Sequence, residues 1–161
     1  MEQIDRTDAR ILQALDGDPQ ATTVALARTL GLARNTVQAR LRALEADGRL
    51  RPVTSRVRPE SLGRPVLAFV TLVIAQGDIE EITTELSGVP EVLEMHAITG
   101  DGDILAKVAA RDPADLLRVT RILLGCTSVV RTSTTMAVLE LVAPRTAPLL
   151  AQAAGDGRIR G

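Results

Sequence analysis

Residues 66–129 carry one pattern twice, at an offset of 37 residues with no gaps. Val66–Ala75, an apolar run, maps onto Asp103–Asp112. Asp78-Ile-Glu-Glu-Ile maps onto Asp115-Leu-Leu-Arg-Val, and Gly88-Val-Pro-Glu-Val92 onto Gly125-Cys-Thr-Ser-Val129. Each copy reads strand, helix, strand. Strands are expected over Val66–Ala75, Val92–Thr99, Ile104–Ala110 and Val129–Leu141, all rich in Val, Ile, Leu and Thr. Helices are expected over Ile79–Ser87 and Pro113–Leu124, the second with Asp112 as N-cap before Pro113.

Two such units in tandem give βαββαβ, a ferredoxin-like α+β arrangement in which both helices cover one face of the sheet. The first strand alternates Leu67, Phe69 and Val73 with Val70, Leu72 and Ile74, so both of its faces are apolar. A second copy of the chain is the natural cover for the face without helices, and a homodimer is expected.

The N-terminal part follows a different period. Ile4, Ile11, Leu12 and Leu15 recur at helical spacing from Asp5 to about Leu15, where Asp16-Gly17-Asp18-Pro19 breaks the helix. Thr22 is placed to cap a second helix, with Val24, Leu26, Ala27 and Leu30 turned inward and Gly31 ending it. A third helix, Ala33 to Asp47, carries Val37, Leu41 and Leu44 on one stripe and stops at Gly48. Two short helices around the tight Leu30-Gly31-Leu32 turn are the pattern of a helix-turn-helix, whose second helix is offered to the DNA major groove.

Charge supports this reading locally, although the net charge is only −1. Residues 28–58 hold eight arginines against Glu45 and Asp47, and such a block attracts phosphate by releasing its counterions. On the third helix, Asn35, Ala39 and Arg42 lie opposite the apolar stripe, Arg34 and Gln38 on one flank and Arg40 on the other. With Thr36 these are the candidate DNA contacts: Asn and Gln pair with adenine, Arg with guanine, and the remaining arginines hold phosphates.

Between the two central strands lies Thr99-Gly100-Asp101-Gly102-Asp103. The residues alone leave two readings open. One is a hairpin turn; the other is a small-ligand site in which backbone N–H groups take a carboxylate and an Asp takes an ammonium. Thr132 and Thr134 in the last strand are further candidate ligand residues. His96, the only histidine, is read as a packed or hydrogen-bonded strand residue, and Cys126 as a small buried apolar one. One cysteine allows no internal disulfide, no apolar run approaches the roughly 18 residues of a membrane span, and the N-terminus shows no signal-peptide pattern. A cytoplasmic protein without a membrane partner is expected.

In these elements the chain resembles the Lrp/AsnC (feast/famine) family of transcriptional regulators over about residues 4–142. The resemblance is carried by Ile4-Asp5, Ile11-Leu12, Leu15, Leu26-Ala27, Leu30-Gly31-Leu32, Val37, Arg40-Leu41, Leu44-Glu45 and Gly48. It continues through Leu62-Gly63, Pro90-Glu91-Val92 and Thr99-Gly100-Asp101 with Asp103. It implies a winged-type helix-turn-helix domain at 1–51, a hinge strand at 52–65, and a ferredoxin-like effector and dimerisation domain at 66–142. A tail at 143–161 is expected to be partly unstructured, with Arg158 and Arg160 able to reach DNA.

The resemblance also implies dimers assembling into octamers, double-stranded DNA as partner, and an amino-acid effector near Gly100–Asp103 with help from the last strand. No catalytic residue, metal or cofactor is implied. Two alternatives are an effector-independent architectural DNA-binding protein and an enzyme resembling siroheme decarboxylases. The latter would call for a basic, histidine-bearing pocket in the second half, where the chain offers only His96 and scattered arginines.

Two departures from the family pattern concern capping. The second helix begins Thr22-x-x-Ala25 and lacks the reciprocal carboxylate of a capping box, and Ala33 is a poor cap for the third. Both predict a less stable reading head, ordering fully only on DNA.

Overall fold

The computed structural model describes residues 3–75 and 79–155, in two compact units. Asp78, which the repeat aligns with Asp115, and the tail arginines Arg158 and Arg160 lie outside the described residues.

One unit comprises residues up to Ser55 together with the chain from Val142 onward. Its first helix, α1, spans Arg6–Gly17, so it runs about two residues past the expected end at Leu15 and takes in Gly17. Asp5 caps α1 in a capping box: its carboxylate accepts the Asp8 N–H at 2.8 Å, and its own N–H donates to Asp8 Oδ2 at 3.4 Å. Helix α2 spans Thr23–Leu30. Its cap is one-sided, the Thr22 hydroxyl accepting from the Ala25 N–H at 3.2 Å. Gly31 ends α2 with a left-handed φ of 67°, a conformation cheap only for glycine. Helix α3 spans Arg34–Ala46, and its N-cap Ala33 makes no side-chain bond, as its missing hydroxyl dictates.

Ile11, Leu26, Ala27 and Val37 form the core of this unit, flanked by Leu15, Leu30, Leu32 and Leu41. Val24 is 56% exposed, against expectation. With Leu26, Ala27 and Leu30 facing inward, steps of about 100° carry Val24 well off the stripe.

Residues 52–65 do not form the expected strand. Pro52 and Pro59 start two turns of 3₁₀ helix, Val53–Arg56 and Pro59–Leu62, and Gly63 ends the second at φ 73°. Their N–H groups bond locally, Ser55 to the Pro52 carbonyl and Arg64 to that of Pro59. A strand needs a neighbour to take these bonds, and proline removes a donor from any such ladder.

The other unit, Arg56–Leu141, is the expected βαββαβ. Strands β1 (Val66–Ile74), β2 (Val92–Ala97), β3 (Ile104–Ala110) and β4 (Val129–Met136) form one antiparallel sheet in the order β2-β3-β1-β4. Helices α4 (Ile79–Ser87) and α5 (Pro113–Leu124) cover one face. Val70, Leu72, Ile104, Ala106 and Val108 meet Ile82, Leu86, Leu116, Val119 and Leu123 there in a single core. Cys126 is buried at its edge, as expected; burial pushes its thiol pKa up, and its Sγ lies 3.4 Å from the Ile122 carbonyl.

Strand β4 is shorter than expected. Its pairing stops at Met136, opposite Ala68 near the start of β1, and Val138, Leu139, Leu141 and Val142 beyond it are largely exposed. The tail carries an unexpected helix, α6 (Ala147–Ala154), that packs on α1 within the first unit. Its half-buried Leu150 and Ala151 and buried Ala154 supply the apolar contact, and Arg6 Nε donates to the Ala154 carbonyl at 2.9 Å.

Candidate functional site

Helix α3 is fixed by Val37 and Leu44, both fully buried, and this sets which of its side chains face outward. Arg34, Asn35, Thr36, Ala39 and Arg42 are exposed, and Gln38 is half-buried at their border. Among the described residues, the Arg34 and Arg42 guanidinium groups have no hydrogen-bond or ion-pair partner. Six of the seven candidate DNA contacts therefore lie on or at the border of the solvent-facing surface of α3, with two unengaged cations among them.

The seventh, Arg40, does not. Its Nη1 donates to Asp8 Oδ1 at 2.8 Å and to Asp5 Oδ2, tying α3 to the start of α1. The Asp8 N–H, together with Arg40, holds the Asp5 carboxyl below its usual range. Arg49 is also turned inward. Its side chain is only 9% exposed, with Nη2 2.7 Å from Asp47 Oδ2, Nη1 3.9 Å from Asp8 Oδ2, and Nε buried without a hydrogen bond. Two of the eight clustered arginines are thus spent internally. A signal was present in the sequence: Arg40 sits one residue before Leu41 and three after Val37, at the margin of the buried stripe rather than across from it.

The loop between β2 and β3 is closely built. Ile98 N–H donates to the Asp103 carbonyl and Asp103 N–H to the Leu72 carbonyl, both at 2.9 Å. Asp103 Oδ2 accepts the Ile74 N–H at 2.9 Å, so this carboxylate serves the end of β1. Asp101 is left as the loop's outward carboxylate, while its carbonyl takes Arg131 Nη2 at 3.3 Å. Gly100 has φ 117°. Gly102 is buried where a Cβ would lie 2.3 Å from Thr71 Cγ2 and 3.2 Å from the Leu72 carbonyl, so only glycine fits without displacement. Thr99 is exposed beside them.

Thr132 and Thr134 do not join this loop as a pair. They oppose Leu72 and Val70 and so lie on the helix-covered face, where the Thr134 hydroxyl is 3.3 Å from that of Thr120 on α5. The other face presents Leu67, Phe69, Thr71 and Val73 with Leu105 and Lys107. A shallow hollow there of about 230 Å³ is lined by Phe69, Glu94, His96, Leu105 and Lys107. His96 is exposed, its Nε2 2.7 Å from Glu94 Oε1.

Sequence reasoning missed a second ion cluster, at the foot of the sheet. Buried Asp115 accepts Arg111 through its N–H, Nε and Nη2 at 2.9–3.1 Å, and Arg118 Nε at 2.8 Å. Arg118 Nη2 reaches buried Glu91 at 2.7 Å, and Arg64 Nη1 lies 3.3 Å from Glu91 and 3.5 Å from Asp115. The Arg111 and Arg118 bonds hold the Asp115 carboxyl far below its usual range. At Glu91 burial pushes upward, but the Arg118 bond, the residue's own N–H and the flanking charges outweigh it. The two acids that gather these arginines lie far apart in sequence, which is why no local pattern announced them.

The winged helix-turn-helix DNA-binding profile matches residues 4–51, and the Lrp/AsnC ligand binding domain profile matches residues 67–148. The chain belongs to the Lrp/AsnC family. The HTH-type transcriptional regulator FL11 of Pyrococcus horikoshii is 30% identical over 113 residues, covering 70% of this chain and 75% of its own. The proline dehydrogenase transcriptional activator of Rhodobacter capsulatus is 29% identical over 150 residues, covering 91% and 97%. Among solved structures, Escherichia coli AsnC superposes with a TM-score of 0.79 at 24% identity, covering 91% of this chain and all of that one. A Neisseria meningitidis transcriptional regulator in complex with L-methionine gives 0.77 at 27% identity, covering 91% and 97%. This member of the Lrp/AsnC family is a DNA-binding transcriptional regulator. No helix among its described residues is long and apolar enough to cross a membrane.

Proposed function

We propose that this regulator reads double-stranded DNA through the exposed side of α3 and responds to a free amino acid held at the loop 99–103. The observation that carries the DNA half is the shared outward face of Arg34, Asn35, Thr36, Ala39 and Arg42 on a helix following a tight glycine turn. Arg34→Ala or Arg42→Ala is expected to weaken binding and to lower its salt slope by about one for each phosphate no longer neutralised. Unchanged affinity in both would reject this face.

The effector half draws support from the relative solved with L-methionine and from the outward Asp101 carboxylate, which suits an ammonium group. An amino acid is then the ligand, with no metal or cofactor, and the chain regulates rather than catalyses, acting in the cytoplasm. The apolar face of Leu67, Phe69, Val73 and Leu105 is the surface for a homodimer, from which octamers assemble. Ligand and DNA affinity couple if the amino acid prefers one arrangement of dimers over another.

Thermal unfolding against a panel of amino acids tests this. A ligand at a hundred times its dissociation constant stabilises by about 2.7 kcal/mol. A rise in Tm for one or a few amino acids is expected. No rise for any would reject the effector reading and favour an architectural role on DNA.

A further inference from the structure

Arg40 has the composition of a DNA contact and the geometry of something else. Its guanidinium spans two carboxylates fixed before it arrives. Asp5 and Asp8 are locked to each other's backbone by the capping box of α1, so their oxygens form a preset acceptor pair at the helix start. Nη1 of Arg40 bonds to both. Asp8, 5% exposed, lies also 3.9 Å from Arg49, which follows the C-terminus of α3. One buried carboxylate thus pairs with a cation from the middle of α3 and with another beyond its end.

A helix held at two such points cannot easily roll about its own axis, and its roll decides whether Asn35, Ala39 and Arg42 point at base edges. We infer that Asp8, with Asp5, positions the recognition helix through Arg40, and that Arg40 is a positioning residue rather than a phosphate contact. The inference rests on the reading of α3 as the DNA-facing helix.

It makes a prediction of unusual sign. Removing a negative charge from a DNA-binding domain ordinarily strengthens binding, because repulsion from phosphate is relieved. Removing this one weakens it. Asp8→Asn, Arg40→Met and the double variant are to be titrated against two duplexes: one enriched from a random pool by the wild-type protein, and a random-sequence duplex of equal length. Circular dichroism confirms that each variant is folded at the assay temperature.

Each single variant is expected to lose about tenfold or more in affinity for the enriched duplex and little for the random one. The salt slope stays at the wild-type value, and the double variant is no weaker than the worse single, as for two groups acting as one unit. Tighter binding by Asp8→Asn, or a slope lower by about one in Arg40→Met, overturns the inference. If Arg40→Met does not fold, Arg40→Lys decides: its ammonium ends short of the carboxylate pair but would serve a phosphate. Loss of affinity in Arg40→Lys supports positioning, and wild-type affinity overturns it. Arg34→Ala and Arg42→Ala, run in parallel, tell the two failures apart. If neither weakens binding, the reading of α3 itself has failed. If either does while Asp8→Asn binds more tightly, only the positioning role has.

Discussion

The two units each spend carboxylates on arginine, to different ends. In the sheet unit, Asp115 and Glu91 gather Arg64, Arg111 and Arg118 beside a continuous apolar core that runs under both helices. In the helical unit, Asp5 and Asp8 hold Arg40 and Arg49 beside a smaller core centred on Ile11, Leu26, Ala27 and Val37. Ion pairs supplement packing in the first case and supply much of the geometry in the second. A buried pair adds little net stability, yet breaking it is costly because it strands the partner charge. The reader is thus built for definite orientation on a small hydrophobic reserve, and the sheet for endurance.

Leu72→Ala attacks the larger reserve. Leu72 is fully buried between α-helices and sheet, and its loss is expected to cost about 2–5 kcal/mol. Amide hydrogen exchange should show the loss in β1 and β3 and leave α1–α3 untouched. Removing residues 142–161 does the reverse. It strips the half-buried Leu150 and Ala151 and the buried Ala154 from α1, at about 2 kcal/mol, and faster exchange should be confined to the helical unit. Equal effects on both units in either experiment would erase the contrast.

Ala33→Ser sharpens it from the other side. Ala33 has the extended backbone of an N-cap, φ −70° and ψ 141°, and lacks only the hydroxyl. The serine is expected to stabilise α3 by about 1 kcal/mol, read as slower exchange at its first turn. Acid gives the smallest effect near neutrality. The folded-state pKa values of Asp115, Glu91 and Asp5 are depressed, so their stabilisation is fully present above the unfolded values of about 3.9–4.3 and is lost as pH falls below them. Tm should be flat in this respect from pH 7 to about 5 and then decline. A decline setting in above pH 6 would point to other groups.

The sequence was most readable where period and burial coincide. The bounds of β3, α4 and α5 are those expected from the sequence, because each element there packs its own periodic face into one core. It was least readable where a partner comes from far along the chain. The expected hinge strand at 52–65 has no neighbour to bond among the described residues, and Pro52 and Pro59 start 3₁₀ helix instead. The tail looked irregular because of Pro144, Pro148 and Gly155, yet Pro148 sits in the first turn of α6, where proline is tolerated, and Gly155 closes its end at φ 82°. The loop 99–103 was found as a unit, but which carboxylate it keeps for itself was hidden: Asp103 caps Ile74, and only the fold reveals that. The face on which Thr134 lies is hidden for a related reason, since alternation gives two faces but not which one α5 covers.

Helix α6 has a consequence for the order of events at the ribosome. The helical unit is made from residues at the start of the chain and from residues 147–154, with the whole sheet unit synthesised in between. Domains generally fold as they emerge, N-terminal first. Here the part that emerges first must wait for its last helix until the sheet is complete, so the sheet unit can finish folding before the DNA reader does.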